Sequence, residues 1–486
     1  MDLQDNMKPL EGRSHLALLL VAVVVFALME LIGLVNMRAV YVDEAWYSNP
    51  AYNLLHGQGL RNTVVGSGGN ANFVFPLLVS LSMKVFGASL FSIRFASVFC
   101  GLLSLPVLHG VMNEFKSRVP SRIVGYALFV SLSVFNLDFR TARPESVAIL
   151  VCLVGIWCFL RYCRTRSWKD ILGLSLATLV GFFSHPFTML MFACMGGALL
   201  IRAIGERRRE GIKLRKSVLH LFVLLFAALS GIVLFYFINM EANPNGASSF
   251  GGVVDDRLFA RNGFGKVLSL FIKVNFVSKQ GLYSIPLLAL AVVMVFIAKD
   301  LRLRLLSAVC VAFVVFFPFV YSFPPMLGSC ATYLATMGVC VAVGASVQFI
   351  ERNSNRRKAM SLMALSMAYC LANFVLINGY NITKYDTSNT TLANDLKQHV
   401  PQSAVVFGTL DLWPFLMNTQ FYSSLYRLDL PTYDFDFILT NSKQEAQCDW
   451  PSYWDQIARA EREYELVFQK ETKHYGLVRL FKKRIK

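Results

Sequence analysis

The stretch LALLLVAVVVFALMELIGLVNMRAVYVDE, Leu16–Glu44, runs from a long, predominantly apolar segment into two adjacent carboxylates. Leu16–Val35 covers about 20 residues, enough to cross a bilayer core and too long for the apolar core of a signal peptide. It is expected to stay in the chain as a first span. Asp43 and Glu44 then stand where the chain emerges on the far side.

Most of the remaining chain has the same character. Of 486 residues, 55% are hydrophobic, 40 are Phe and only 16% are charged, against roughly 25% charged in a typical soluble domain. The mean hydropathy is +0.50. These values exclude a set of soluble domains and predict a polytopic, all-α membrane protein with a soluble attachment. The net charge of +17 invites a nucleic-acid reading, but position argues against it. Residues 380–486 carry 13 Lys+Arg and 13 Asp+Glu, so the excess lies in the apolar part. Most of the ten cysteines lie in apolar runs, only Cys448 falls in the polar tail, and no spacing suggests a zinc site.

Six basic clusters divide the apolar part: Lys8/Arg13, Lys116/Arg118/Arg122, Arg161 to Lys169, Arg202 to Lys216, Lys299 to Arg304, and Arg352 to Lys358. Cytoplasmic loops concentrate Lys and Arg, so all six are assigned inside. Phe73–Phe86 is apolar but only 14 residues long. A crossing there would reverse the side of every later cluster, so it reads as an interfacial helix. Eleven spans are then expected, near 16–36, 92–113, 122–139, 142–162, 170–184, 186–203, 217–239, 281–298, 303–321, 332–350 and 358–379. The transmembrane domain is residues 1–379, with an external loop at 37–91. A second external loop, Glu241–Lys279, opens Gly/Asn/Ser-rich. Residues 380–486 read as an external α+β domain, with a helix at Thr391–His399 and strands at Ala404–Gly408, Phe435–Thr440, Tyr464–Gln469 and Gly476–Phe481. Two tripeptides there, Asn381-Ile382-Thr383 and Asn389-Thr390-Thr391, match the N-glycosylation pattern and read as chance matches.

The polar residues at outer span ends are the candidates for chemistry. Asp43 suits a helix N-cap or a general base, with Glu44 beside it. Arg143-Pro144-Glu145 stands at the outer mouth of the fourth span, beside Asp138 and Arg140. Arg140 is expected to snorkel, whereas Glu145 inside an apolar helix is expected to face a cavity. The fifth and sixth spans share about 34 residues, short of two full crossings, so the turn Ser184-His185-Pro186 should lie below the outer surface in a hollow. Arg94, at the outer end of the second span, is placed to meet a lipid or substrate phosphate. No phosphate-binding loop, dinucleotide fingerprint, zinc-protease motif or nucleophile elbow is present. An activated substrate would have to arrive already linked to lipid.

Taken in order, these pieces resemble the GT-C glycosyltransferases, in the branch of the protein O-mannosyltransferases and lipid A aminoarabinose transferases. The resemblance spans Ala39–Gly205. It rests on Asp43-Glu44, the helix Ala45–His56 ending at Gly57, Phe75-Pro76-Leu77-Leu78, Phe86-Gly87, Ser92-Ile93-Arg94, Gly101, Arg143-Pro144-Glu145 and Ser184-His185-Pro186. It implies a polyprenyl-phosphate sugar donor, an acceptor glycan, lipid or protein, and one inverting displacement on the external membrane face. Asp43 is then the expected base, with Glu44 and Glu145 also catalytic and Arg143, His185 and Arg94 around the donor phosphate. A divalent cation on the acidic pair is an open possibility. A bacterial inner membrane is the expected location, with the site and tail on the periplasmic side. The sequence departs from the aminoarabinose subgroup at Phe75, where those members commonly carry Lys before the Pro. A transporter or flippase of lipid-linked saccharides is the alternative reading. It predicts inverted repeats, which the sequence does not display.

Overall fold

A computed structural model of the chain describes residues 3–66, 72–210, 214–242, 258–277, 284–320, 328–353, 355–423, 434–445 and 451–484. The first helix, α1 (Leu3–Leu31), shows how a membrane solvent shapes the pattern. Leu16, Leu20, Val24 and Leu28, each four residues apart, are exposed, while Ala22, Phe26 and Glu30 face inward. The outward face is apolar because its solvent is hydrocarbon. The inward face can therefore carry the polar residue.

Two short helices follow in the first loop, α2 (Val42–Leu55) and α3 (Val74–Phe86). At 13 residues α3 is too short to cross. It exposes Leu77, Leu81 and Val85 and buries Phe75, Val79 and Met83, as an interfacial helix does. Next come α4 (Leu90–Glu114), α5 (Val119–Ser131) and α6 (Ser133–Arg140). The last two replace one expected straight span with a pair bent by 54°. The sequence continues with α7 (Glu145–Thr165), α8 (Trp168–Ser184), α9 (Thr188–Glu210) and α10 (Leu214–Ala242). Helices at Leu258–Ile272, Ser284–Ile297, Leu301–Val320, Cys330–Ser346 and Arg356–Lys384 complete this part.

Among the described residues, eight helices are long and apolar enough to cross a membrane, or nine with the bent pair. The other two expected spans are the 17-residue α8 and the 14-residue helix Ser284–Ile297. The molecule is a multi-pass membrane protein. Its centre is built by α7 and Cys330–Ser346, the two most buried spans. The Gly/Asn/Ser-rich part of the second expected loop lies outside the described residues.

Five of the basic clusters meet at one end of the bundle. Arg164 Nε donates to Glu114 at 2.9 Å, Arg302 Nη1 to the Glu114 carbonyl at 2.7 Å, and the Arg118 amide to Glu351 at 2.8 Å. Arg202 pairs with Glu206 at 2.7 Å, and the Lys299 amide donates to Gln348 at 2.9 Å. The opposite end carries α2, α3 and the C-terminal domain.

The last long helix runs to Lys384, so the expected boundary at 380 falls within it. The C-terminal domain opens with the helix Ser388–His399 and forms a five-stranded mixed sheet, order β2-β1-β3-β5-β4. The strands are β1 (Val405–Gly408), β2 (Gln420–Ser423), β3 (Phe437–Asn441), β4 (Tyr464–Thr472) and β5 (Gly476–Lys483). β1 is parallel to both neighbours, and β5 is antiparallel to β3 and β4. The short edge strand β2 and the helix Pro451–Glu463 were not expected from sequence. Cys448 lies outside the described residues.

Candidate active site

The two adjacent carboxylates diverge. Tyr41, in extended conformation, caps α2, and Asp43 sits in its first turn rather than at the N-cap. Glu44 is the third helical residue, and its Oε2 accepts the Tyr41 amide at 2.7 Å, closing the start of the helix. Its Oε1 accepts the Ala142 amide at 2.9 Å, which ties α2 to the connection before α7. Arg94, from α4, meets the same carboxylate through Nε at 2.8 Å and Nη2 at 2.9 Å. Its other hydrogens reach the Leu34 carbonyl at 2.8 Å and the Ala39 carbonyl at 3.0 Å. Both side chains are essentially solvent-free. Their hydrogen-bonding capacity is spent inside the fold. Arg94, expected at a phosphate, and Glu44, expected among the catalytic residues, are thus paired with each other inside the fold.

Asp43 turns the other way, to the outer surface. Its carboxylate lies 3.5 Å from Arg143 Nη2 and is 39% exposed, whereas Arg143 is 22% exposed. The same guanidinium nitrogen donates to Glu145 Oε1 at 2.6 Å, and the Arg143 guanidinium stands 5.5 Å over the Tyr41 ring. Glu145 opens α7 and is almost fully buried, where the positive end of a helix favours its charge. His185, in the turn between α8 and α9, places Nε2 3.9 Å from Glu145 Oε1. Its Nδ1 meets the Tyr333 hydroxyl at 2.9 Å, and Ser329 Oγ donates to Glu145 at 3.4 Å. Asp43, Arg143, Glu145 and His185 thus form one line of polar side chains from solvent inward. Arg143 Nε keeps no hydrogen-bond partner among the described residues.

Partial burial pushes the Asp43 carboxyl up to about 6. The Arg143 cation opposes that rise, while Glu145 and Glu44 add to it. Because Asp43 and Glu44 point apart, the acidic pair does not form a chelating site. Among the described residues no three His, Cys, Asp or Glu side chains converge as metal ligands.

The C-terminal domain holds the segment that leads into Asp43. The Tyr475 hydroxyl accepts the Val40 amide at 2.9 Å and donates to Asn389 Oδ1 at 2.7 Å. Asn389 Nδ2 reaches the Val35 carbonyl at 2.5 Å and the Arg38 carbonyl at 2.7 Å. Residues 34–40 are therefore gripped by Arg94 on one side and by the C-terminal domain on the other. Asn389 and Asn381 are both buried, and Asn381 Nδ2 donates to Asn136 at 3.0 Å. Neither glycosylation-like tripeptide presents its asparagine to solvent.

Two features escape sequence reading. Arg140 does not snorkel; it is buried and pairs with Glu30 at 3.2 Å. Ser329, Thr332 and Tyr333 meet Glu145, Asp138 and His185 from a helix more than 140 residues away in sequence. Thr332 and Tyr333 sit in a span buried nearly all round. The one local signal is the pair of polar side chains themselves in an apolar run.

Residues 70–236 match the family model described as dolichyl-phosphate-mannose-protein mannosyltransferase. That segment holds Arg94, Arg143, Glu145 and His185 but not Asp43. No curated protein matches by sequence. Among solved structures, the fold is similar to ArnT from Cupriavidus metallidurans bound to undecaprenyl phosphate, with TM-score 0.63 and 12% identity over 96% of this chain and 97% of that one. It is also similar to the oligosaccharyltransferase of Archaeoglobus fulgidus in complex with Zn and sulfate, with TM-score 0.53 and 11% identity over 95% of this chain and 72% of that one. The fold is that of the GT-C glycosyltransferases.

Proposed function

We propose that this chain, with its GT-C fold, transfers a single sugar from a polyprenyl-phosphate donor to an acceptor hydroxyl on the external face of the membrane. The observation that carries the reading is the exposure order of its three carboxylates. Asp43 is open to solvent, whereas Glu145 and Glu44 are closed off. Asp43 is thus the carboxylate that an incoming hydroxyl can reach. It takes the hydroxyl proton as the oxygen bonds to the anomeric carbon. The bond from that carbon to the phosphate oxygen breaks on the opposite face, so the configuration inverts and the lipid phosphate leaves as an anion. A placed base of this kind contributes about 10²–10⁴-fold.

Arg143 and His185 meet the leaving phosphate in this scheme. Arg143 is partly exposed, and a guanidinium suits phosphate oxygens. Glu145 serves as a positioning residue that fixes Arg143 and faces His185. The site lies at the end of the bundle opposite the basic loops, which supports a periplasmic or lumenal location by the positive-inside rule. The similarity to ArnT, whose structure holds undecaprenyl phosphate, supports a polyprenyl-phosphate donor.

The test is a panel of labelled polyprenyl-phosphate sugars offered to the purified protein, read by release of free lipid phosphate. Wild type should release it from at least one donor, and Asp43→Asn should lower that rate by about 10²-fold or more while melting normally. Turnover by Asp43→Asn at the wild-type rate would remove the base assignment. Failure of every donor with every acceptor class would remove the transferase reading.

A further inference from the structure

A cleft of about 670 Å³ opens between the first external loop and the C-terminal domain. Its size is that of a small-ligand site. Asn49 and Asn53 line it from α2, six and ten residues after Asp43. They therefore lie about 9 and 15 Å further along the helix axis, apart from the candidate active site. Six side-chain amides and the rings of Tyr52 and Trp413 line the cleft, and among the described residues no Asp or Glu does. Its two basic residues, His56 and Arg61, are both exposed.

Two of the amides are locked, and each lock leaves one atom over. Asn49 Oδ1 accepts the Thr63 amide at 2.8 Å, so its Nδ2 is left to donate. Asn53 Nδ2 donates to the Arg61 carbonyl at 2.7 Å and to Asn49 Oδ1 at 3.1 Å, so its Oδ1 is left to accept. Turning either amide over would set donor against donor or acceptor against acceptor, which fixes both orientations. The two residues are only 2% and 3% exposed. Asn49 Nδ2 and Asn53 Oδ1 have no partner among the described residues, yet neither is sealed from solvent. A nearly buried polar atom without a partner is costly, so this pair calls for a ligand that accepts at one point and donates at the next. Phosphate and carboxylate anions only accept and an ammonium only donates, whereas a hydroxyl does both.

The rings supply the apolar half. The Tyr52 hydroxyl donates to Asn418 Oδ1 at 3.0 Å. The His56 ring lies 4.1 Å from the Tyr52 ring, and Trp413 meets it edge-on at 6.1 Å. Tyr52 is thus held at the wall beside the two asparagines. An aromatic ring next to hydrogen-bonding groups suits a sugar, which carries a C–H face and a hydroxyl edge.

We propose that this cleft binds a neutral saccharide, with its hydroxyls bridging Asn49 Nδ2 and Asn53 Oδ1 and a ring face against Tyr52. The C-terminal domain forms the other wall through Asn418, and its Ser423 amide ties it to the Val64 carbonyl at 2.9 Å. The site is defined without Asp43, Arg143 or His185, so it stands apart from the transfer reading. A protein that turned over no donor would still bind the sugar.

Isothermal titration of the full-length protein in phospholipid nanodiscs, free of sugar-headed detergent, tests this. The probes are maltotriose, cellotriose and mannotriose. At least one should bind with a millimolar or tighter Kd. Asn49→Asp keeps the oxygen that holds Thr63 and removes the free donor, so it should weaken that sugar about tenfold. Tyr52→Leu removes the ring and should also weaken it about tenfold. Both variants should melt as wild type does. Asp43→Asn should leave the affinity within about twofold, as a distant and independent site requires. Failure of all three sugars to bind would overturn the proposal. So would an affinity unchanged in both cleft variants, or lost equally in Asp43→Asn, which would place the sugar at the reacting site. Displacement of the sugar by millimolar inorganic phosphate would mark an anion site at Arg61 and overturn it as well.

Discussion

As the proposed base, Asp43 should set the pH range of turnover. A general base must be ionised, and its surroundings hold the Asp43 carboxyl at about 6. Turnover should therefore be full above that pH and fall with one proton as pH drops through it. Arg143 lowers the Asp43 value, so Arg143→Gln should move the acid limb to higher pH as well as weaken donor use. A pH profile of kcat/KM for both proteins checks this, and a limb in the same place in both would detach Arg143 from the base. Glu44 and Arg94 carry the opposite expectation. Removing either partner of a buried pair leaves a stranded charge, at a cost of about 3–5 kcal/mol. Glu44→Ala and Arg94→Ala should each give a large drop in the thermal midpoint or no folded protein. Normal melting with lost turnover would return them to the chemistry. The sequence shows two adjacent acids and cannot rank them. Neighbours on a helix point about 100° apart, and only the packed α4 decides which one is swallowed by the fold.

At the scale of elements, length and periodicity did most of the predictive work. The apolar stripe of α3 and its 13 residues make it interfacial, and the His185 turn, expected in a hollow, is buried within the fold. The bend between α5 and α6 was not legible, because it depends on one extended residue, Leu132, within an apolar run. Nor was the four-residue β2, which gains its place by pairing with β1. Gly101 illustrates the packing that sequence only hints at. A Cβ there would overlap the Phe26 ring of α1 and come within 3.0 Å of Phe139. Gly101→Ala should therefore cost about 1–3 kcal/mol through overpacking. Gly197 in α9 has nothing within 4 Å of an added Cβ, so Gly197→Ala should be neutral or stabilising, since Ala is the better helix former. Melting curves of the two variants in one detergent make the comparison. Equal midpoints would mean that α1 can shift away from α4 at no cost.

The whole molecule has two unlike ends, and its orientation follows from them. One end gathers the basic loops around Glu114, Glu206 and Glu351. The other holds Asp43, Arg143, His185 and the C-terminal domain. Lys and Arg are retained on the cytoplasmic side, so the site and that domain should face outward. This orientation requires that Phe73–Phe86 not cross, and the 13-residue α3 is too short to do so. Ser403 is exposed in the C-terminal domain and Arg357 is exposed in the last basic cluster. With Cys448 replaced by serine, Ser403→Cys should react with a membrane-impermeant maleimide on intact cells. Arg357→Cys should react only after permeabilisation. The nine cysteines among the described residues are buried or partly buried, which keeps background labelling low. The reverse pattern would put the whole polar end in the cytoplasm. A lipid-linked donor displayed on the outer leaflet could not then reach Asp43, and the donor would have to be a cytoplasmic-face lipid instead. The labelling result therefore fixes which leaflet supplies the sugar, independently of any measurement of turnover.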